Sequence, residues 1–285
     1  MTAIDLTVHG RAVDGLEPDP AALAAAVRGV LVHRDWAPLM GLDVPPDRLA
    51  DQHLRPVHDI ISRVLELEPE PLRTRREPKD RMVAVCRHFA VLHVALLRLH
   101  GIPARARAGF GGYFGPGWSD HWITEWWDGR WVRHDAQIGT VARTALDLDF
   151  DPADQPAGRF LTGAEAWRVC RSGDADPQDF GIFDLHGLWF VRGNLLHDLA
   201  AINHVEVLPW DALAVVDGPD WHPAEDELRE LDHLAEVICA DRLPAVRQAY
   251  RRRPVPSTIT SYIDGVPTRV HLGRLVTDLG ERTPS

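Results

Sequence analysis

The chain contains few cysteines and no long apolar run. Its 285 residues include three cysteines, Cys86, Cys170 and Cys239, which are too few and too dispersed for a disulfide framework. No apolar run is long enough to span a bilayer, and the N-terminus has no apolar segment of the kind that signal peptides carry. We therefore expect a cytoplasmic protein in a reducing compartment, where a thiol stays free and can act as a nucleophile.

Positive charge is also scarce. The sequence has 31 Lys and Arg residues against 42 Asp and Glu residues, for a formal net charge of −11. Binding to nucleic-acid phosphates requires clustered basic residues, so we expect no nucleic-acid partner. We also expect no membrane partner, because no apolar run is long enough to span a bilayer. The basic runs Arg73–Arg76 and Arg251–Arg253 are short, and this pattern is typical of solvated surface. The oligomeric state is left open.

The clearest secondary-structure signal is a helix that begins at Cys86. Between this residue and His100, apolar side chains recur at helical spacing. Gly101 can adopt the left-handed conformation that ends a helix, and Pro103 prevents the helix from continuing. The pattern then changes to that of a strand, Ala104–Tyr113, which leads into a Gly-rich loop.

A β-hairpin is predicted to follow this loop, and its turn decides which side chains meet. If residues 127–129 form a three-residue loop, Trp126 pairs with Arg130, and His121 lies directly opposite Asp135 on one face. A two-residue Asp-Gly turn would instead put these two side chains on opposite faces. We predict the three-residue loop.

Cys86 is placed where a thiol can become a nucleophile. The thiolate is the reactive form, and a helix N-terminus or an adjacent imidazolium lowers the pKa of a thiol. The first backbone N–H groups of the predicted helix would also face an oxyanion formed on attack. His121 can supply the imidazolium, and Asp135 can orient the ring and stabilise its charge. We predict Cys86, His121 and Asp135 as the catalytic residues.

Three segments of the chain resemble those of transglutaminase-like proteins. Cys86–Ala90 and Leu97–Arg105 resemble the nucleophile helix and the strand after it, and His121–Asp135 resembles the His and Asp strands of that family. Two positions depart from the family pattern. Ala84 and Ala136 stand where glycine and proline are common, which argues against membership of the standard cross-linking subgroup.

The resemblance covers about residues 80–140 and implies a papain-like α+β fold, in which the nucleophile helix packs on an antiparallel sheet. It also implies a Cys-His-Asp triad that reacts through a thioester. We expect cysteine-dependent acyl transfer on a small-molecule or peptide substrate with an amide or thioester group, without a cofactor. An amidase or peptidase and an amide-forming acyltransferase both remain open. The alternative outside enzymes is a peptide-binding scaffold that retains the triad without turnover.

The sequence beyond residue 140 is mainly helical in pattern. Four short motifs in it are similar to the C-terminal part of a bacterial subgroup of uncharacterised transglutaminase-like proteins. These motifs are Ala166–Arg171, Asp176–Gly181, Arg192–Asn194 and Leu208–Asp211. We predict a catalytic core with N-terminal helices at residues 1–140 and a mainly helical extension at residues 141–285. The extension is either a second subdomain or a cover over the active site.

Several further residues are candidates for substrate binding. Trp118 and Tyr113, in and beside the Gly-rich loop, are placed to line a groove for the acyl donor. The side-chain amide of Gln52 could supply a second oxyanion donor. Arg168 could bind a substrate carboxylate, because a guanidinium does so bidentately, or it could pair with one of the many acidic residues.

The fifteen histidines also invite a metal hypothesis. The residues that could surround a zinc ion are Cys86, His88, His93, His121 and His134. They lack compact ligand spacing, and His88 and His93 cannot both face the same partner as Cys86, so we expect no metal site. We expect His134 to be merely the outward-facing neighbour of Asp135 in its strand.

Overall fold

The architecture is mixed α+β, as predicted. The computed structural model describes residues 4–213 and 218–272. The α-helices are Leu6–His9 (α1), Pro20–Val30 (α2), Val57–Leu67 (α3), Cys86–Leu99 (α4), Thr140–Ala145 (α5), Gly163–Ser172 (α6), Leu188–Ile202 (α7), Glu225–Cys239 (α8) and Leu243–Arg252 (α9). The strands are Leu31–His33 (β1), Met82–Ala84 (β2), Ala104–Gly111 (β3), Trp118–Trp127 (β4), Trp131–His134 (β5), Phe160–Thr162 (β6), Phe180–Ile182 (β7), Leu185–His186 (β8), Asp211–Ala212 (β9), Thr258–Ile263 (β10) and Val266–His271 (β11).

The main sheet is organised around β3 and β4. Its strand order is β6-β3-β4-β7-β8, and β5 pairs with β4. β3 and β4 form the longest antiparallel pair, in which Gly109 lies opposite His121. The tryptophan, isoleucine and threonine side chains of β4 suit a half-buried pleated surface, which explains why this segment forms a strand. The strand pair provides the rigid support for His121.

Helix α4 packs against β3 and β4. Every residue from Cys86 to Leu97 is buried, because α2 and α3 cover the helix on the side away from the sheet. Gly101 follows the helix with a φ of +76°, and it ends the helix where the sequence predicted. α2 begins after the N-cap residue Asp19, whose Oδ1 accepts the backbone N–H of Ala22 at 2.7 Å.

The short strands β1 and β2 lead the chain into α4. They form a parallel pair in which His33 lies beside Ala84. All three residues of β2 are buried. Because only one residue separates Ala84 from Cys86, this pairing fixes the backbone immediately before the start of the helix.

β4 and β5 form the predicted hairpin, with a loop of the predicted length. Trp127 pairs with Trp131, so the loop is Asp128–Arg130 and begins one residue later than predicted. Because the loop is odd in length, the register keeps His121 and Asp135 on one face. The predicted pairing directly opposite each other is wrong, since the observed register makes them diagonal neighbours.

The part of the chain after residue 140 contributes strands as well as helices. β6 pairs with β3, and β7 pairs with β4, so both extend the main sheet. Helices α6, α7 and α8 enclose a second hydrophobic cluster around Trp167, which is fully buried. The division of domains at residue 140 stays a prediction. No helix in the described ranges has the length and apolar character needed to cross a bilayer.

Candidate functional site

Cys86 is the first residue of α4 and is 7% exposed. The start of the helix is held by His88. The backbone N–H of Val85 donates to His88 Nδ1 at 3.3 Å, and His88 Nε2 lies 3.0 Å from the carbonyl oxygen of Leu54. Both ring nitrogens of His88 are therefore engaged. The thiol of Cys86 lies at the positive end of the helix dipole, where a thiolate is stabilised.

His121 and Asp135 form a buried pair. His121 Nε2 donates to Asp135 Oδ2 at 2.8 Å, and the two residues are 2% and 1% exposed. The same carboxylate oxygen accepts the Tyr113 hydroxyl at 2.7 Å, and Oδ1 accepts the backbone N–H of Gln137 at 3.0 Å. Asp135 is thus fixed by three donors, and it in turn fixes the orientation of the imidazole.

The protonation of this pair follows from its surroundings. Burial by itself would lower the pKa of His121, but the charge and hydrogen bond of Asp135 outweigh burial. Together with a smaller contribution from Cys86, they raise the pKa of His121 to about 10. Burial would raise the pKa of Asp135, but His121 and Tyr113 hold it below its usual value. At neutral pH the pair is therefore an imidazolium and a carboxylate.

The thiol of Cys86 forms a side-chain hydrogen bond with the imidazole of His121. Because Nε2 of His121 is used by Asp135, Nδ1 is the ring nitrogen left for the thiol. The structure thus brings together Cys86, His121 and Asp135, the three side chains that the sequence proposed. Such an arrangement can hold a thiolate beside an imidazolium and can move a proton between the sulfur and a reacting group.

Aromatic rings enclose the imidazole. Phe114 lies with its ring centroid 4.7 Å from that of His121, and Tyr113 lies at 6.0 Å. Trp36 makes an edge contact with Phe114 at 6.4 Å. These rings exclude water from one side of the pair, which strengthens its electrostatic interactions.

Two residues predicted to bind substrate, Tyr113 and Trp118, are both packed against other aromatic or polar side chains. Tyr113 is 8% exposed, and its hydroxyl donates to Asp135 and accepts from Gln155 Nε2 at 3.1 Å. Trp118 stacks on Phe180 with ring centroids 5.7 Å apart. The predicted role of these two residues in an acyl-donor groove stays a prediction, although the Tyr113 hydroxyl is occupied by its contact with Asp135.

Substrate binding by Gln52 and Arg168 also stays a prediction. Gln52 is buried, and its side-chain oxygen accepts from Arg34 at 2.9 Å, within a segment that packs against β2. Arg168 is exposed on α6 and forms a hydrogen bond with the thiol of Cys239. The structure therefore places Arg168 beside α8, in contact with that thiol.

The sequence missed the supporting contacts of the site. The roles of His88 at the start of α4 and of Gln155 behind Tyr113 depend on contacts between distant segments. His134 is not outward-facing as predicted, because it is 3% exposed and its ring lies 4.7 Å from that of His93. Among the residues that the structure describes, no three His, Cys, Asp or Glu side chains are grouped as metal ligands.

Comparisons with known proteins identify the central segment. Residues 69–136 match the model of the transglutaminase-like superfamily. The matched range contains Cys86, His121 and Asp135. Searches of curated proteins and of solved structures gave no match. The central segment, residues 69–136, is therefore a transglutaminase-like superfamily domain.

Proposed function

We propose that the protein transfers an acyl group from an amide or thioester through a thioester on Cys86. The observation that carries this proposal is the buried His121–Asp135 pair, joined at 2.8 Å, beside a thiol at the start of α4. Cysteine-based acyl transfer or hydrolysis is the general chemistry of the superfamily matched here.

Acylation starts from the thiolate of Cys86 and the imidazolium of His121. The sulfur attacks the carbonyl carbon and forms a C–S bond, and the carbonyl electrons move onto the oxygen. The backbone N–H of Cys86 can stabilise this oxyanion. The bond from carbon to the leaving nitrogen or sulfur then breaks, and His121 gives its proton to the leaving group. The acyl group remains on Cys86 as a thioester.

Deacylation reverses the role of the imidazole. Neutral His121 takes a proton from water or an amine as that nucleophile attacks the thioester carbon. The C–S bond breaks, and the thiolate of Cys86 is restored beside the imidazolium. Asp135 stabilises the positive charge each time His121 is protonated. Water as acceptor gives hydrolysis, and an amine gives a new amide.

The two other thiols provide internal controls. Burial, with the charges of Asp176 and Asp179, raises the pKa of Cys170 to about 12. Burial also raises the pKa of Cys239. Because the thiolate is the nucleophilic form, both cysteines should react slowly at neutral pH. Rapid reaction of one thiol below pH 7 would then report on Cys86.

The proposal can be tested with iodoacetamide and with p-nitrophenyl acetate. We expect iodoacetamide to alkylate Cys86 below pH 7 faster than it alkylates a free cysteine peptide. The ester should release one equivalent of p-nitrophenolate in a burst and add one acetyl group to the protein, detected by intact mass. Cys86→Ala should lose both reactions, whereas the matched control Cys239→Ala should keep them.

Two results would contradict the proposal. An acetyl adduct of the same yield on Cys86→Ala would remove Cys86 as the nucleophile. If iodoacetamide alkylated no thiol of the wild-type protein faster than the free cysteine peptide below pH 7, the protein would be better described as a peptide-binding scaffold without catalytic turnover.

A further inference from the structure

A cavity of about 260 Å³ lies close to the Cys86–His121–Asp135 triad, although none of these three residues lines it. Its lining includes Phe89, one turn after Cys86 on α4, and Gln137, whose backbone N–H donates to Asp135 at 3.0 Å. Arg28 also lines the cavity, and its Nη1 donates to the carbonyl oxygen of Ala136 at 3.1 Å. The cavity therefore shares part of its wall with the residues that flank the triad.

Three arginines line this cavity. Its lining, within the part of the chain that the structure describes, contains no Asp or Glu. The arginines are Arg28 on α2, Arg75 in the loop before β2, and Arg81 directly before β2. The chain as a whole has a formal charge of −11. His33 is a further lining residue, but burial lowers its pKa to about 4, so it is neutral at pH 7. The fixed charge of the cavity is thus positive.

These arginines have no carboxylate partner within ion-pair distance in residues 4–213 and 218–272. Arg28 donates to the backbone, and Arg81 donates to the carbonyl oxygen of Arg76 and to the sulfur of Met40. Elsewhere in the molecule, the buried Arg107 binds a carboxylate directly, whereas the buried Arg76 donates to backbone carbonyl oxygens. Arg81 is 3% exposed, Arg28 is partly buried and Arg75 is exposed. Three arginines without a carboxylate partner around one cavity leave guanidinium charge that an anion in the cavity could pair with.

The electrostatic cost of the arrangement is visible in the arginines themselves. Burial lowers the pKa of Arg28, and the nearby charge of Arg75 lowers it further, against the opposing effect of Asp135. Burial and Arg75 likewise lower the pKa of Arg81. An anion bound between these groups would reverse the mutual repulsion and would accept hydrogen bonds from guanidinium donors that now face the cavity.

We propose that this cavity binds an anionic group, a carboxylate or a phosphate, on the substrate. This substrate is the compound that gives its acyl group to Cys86 or takes the acyl group from it. The proposal rests on the proposed function and names the substrate class: a small anionic acyl compound. Leu31, Trp36 and Phe89 supply the apolar part of the lining. A substrate with an apolar body and one anionic end would match both parts of the wall.

A pair of alkylating probes tests the charge preference. N-iodoacetylglycine is anionic, and its methylamide is neutral but carries the same reactive carbon. In each reaction the sulfur of Cys86 forms a C–S bond, the C–I bond breaks and iodide leaves. For each thiol we compare the alkylation rate of the anionic probe with that of the neutral probe. We expect this rate ratio to be about ten- to a hundredfold larger for Cys86 than for a free cysteine peptide. This is the size of effect expected for charge-assisted hydrogen bonds.

Variants locate the effect in the cavity. Arg75 is exposed, so Arg75→Gln should fold and should reduce the preference for the anionic probe several-fold. Arg28→Gln should do the same, and Arg28→Lys should restore part of it because the charge returns. The matched control is Arg251→Gln on α9, an exposed arginine outside the cavity lining, which should leave the ratio unchanged.

Glutarate and inorganic phosphate distinguish the two oxyanions. The ion that slows alkylation of Cys86 by the neutral probe at the lower concentration identifies the group that the cavity prefers. Protection by neither ion, or a probe ratio equal to that of the free peptide, would overturn the proposal. The rate of the neutral probe alone reports on the nucleophile, so a failure of the anion site is distinguishable from a failure of the proposed function.

Discussion

The main sheet carries two buried groups of charged side chains that differ in one respect. In the first, Glu125 accepts from Arg105 and Arg107 at 2.8 Å each, and Arg107 also binds Asp198 at 2.7 Å. The second is the His121–Asp135 pair beside Cys86. Both groups lie on β3, β4 or the adjoining segments, and both are almost fully buried.

The difference lies in what the charged groups have left to bind. Burial would raise the pKa of Glu125, but the surrounding arginines lower it to about 2, and each of its oxygens is bound by the protein. His121 has one carboxylate partner, and its remaining nitrogen is available to a reacting thiol. Burial of charge alone therefore does not mark a functional site. We expect a functional site where an ionised group keeps one hydrogen-bonding position free for a reactant.

The largest expected effect is that of Asp135→Asn. The amide cannot stabilise an imidazolium, so burial should lower the pKa of His121 from about 10 to below its usual value. We expect acetylation of Cys86 by p-nitrophenyl acetate at pH 7 to slow by about 10²–10⁴-fold. Stopped-flow rates check this, and NMR titration of the His121 ring measures the pKa. An unchanged rate would remove Asp135 from the mechanism.

The same pair predicts how stability depends on pH. The pKa of His121 is raised by folding, so its contribution is complete below about pH 6.5 and is lost as pH rises through about 10. The pKa of Asp135 is lowered, so its contribution is present above about pH 4 and is lost as pH falls further. The difference in melting temperature between wild type and Asp135→Asn should therefore be greatest between about pH 4 and 6.5 and should shrink towards pH 10.

Glu125→Gln should affect stability and leave the chemistry intact. Removing this carboxylate leaves Arg105 and Arg107 without a shared partner, although Arg107 keeps Asp198. Removing one charged partner from a buried ionic group typically lowers the free energy of unfolding by about 3–5 kcal/mol. Urea unfolding measures this cost, and the acetylation rate of the folded variant should match wild type. A large loss of rate at unchanged stability would contradict the distinction between the two groups.

Tyr113→Phe is expected to have the smallest effect. It removes one of three donors to Asp135 and leaves Gln155 Nε2 without its acceptor. We expect a loss of about 1–3 kcal/mol in unfolding free energy. The pKa of Asp135 should rise, because the Tyr113 hydrogen bond helps to hold it down, so the acid limb of the rate profile should move to higher pH. An unmoved limb would show that His121 alone determines the ionisation of Asp135.

Local patterns were sufficient to predict the elements of the site. Helical spacing and the Gly101 stop predicted α4 almost to its last residue, and the odd hairpin loop placed His121 and Asp135 on one face. The loop begins one residue later than predicted, which moves each cross-strand partner by two residues. A turn signal in the sequence shows whether the loop has an odd or an even number of residues more readily than it shows where the loop starts. Trp127, for example, can belong either to the strand or to the turn.

Burial of charged side chains could not be predicted in this way. Arg76 belongs to a run that was interpreted as solvated surface, yet it is 4% exposed and donates to the carbonyl oxygens of Val64 and Glu70. Arg75 in the same run lines the cavity beside the triad. His134 was expected to face outward and is buried instead. Each of these outcomes depends on packing between segments far apart in sequence.

The sequence by itself determined that Cys86 begins a helix and that His121 and Asp135 lie on one face of a hairpin, because helix starts and hairpin parity are encoded within a few neighbouring residues. Only the tertiary structure decided that Tyr113 and Gln137 fix Asp135 and that three arginines line one cavity together with Phe89 and Gln137. Hydrogen bonding and electrostatic pairing depend on distances between segments, and these distances are set when the helices pack on the sheet.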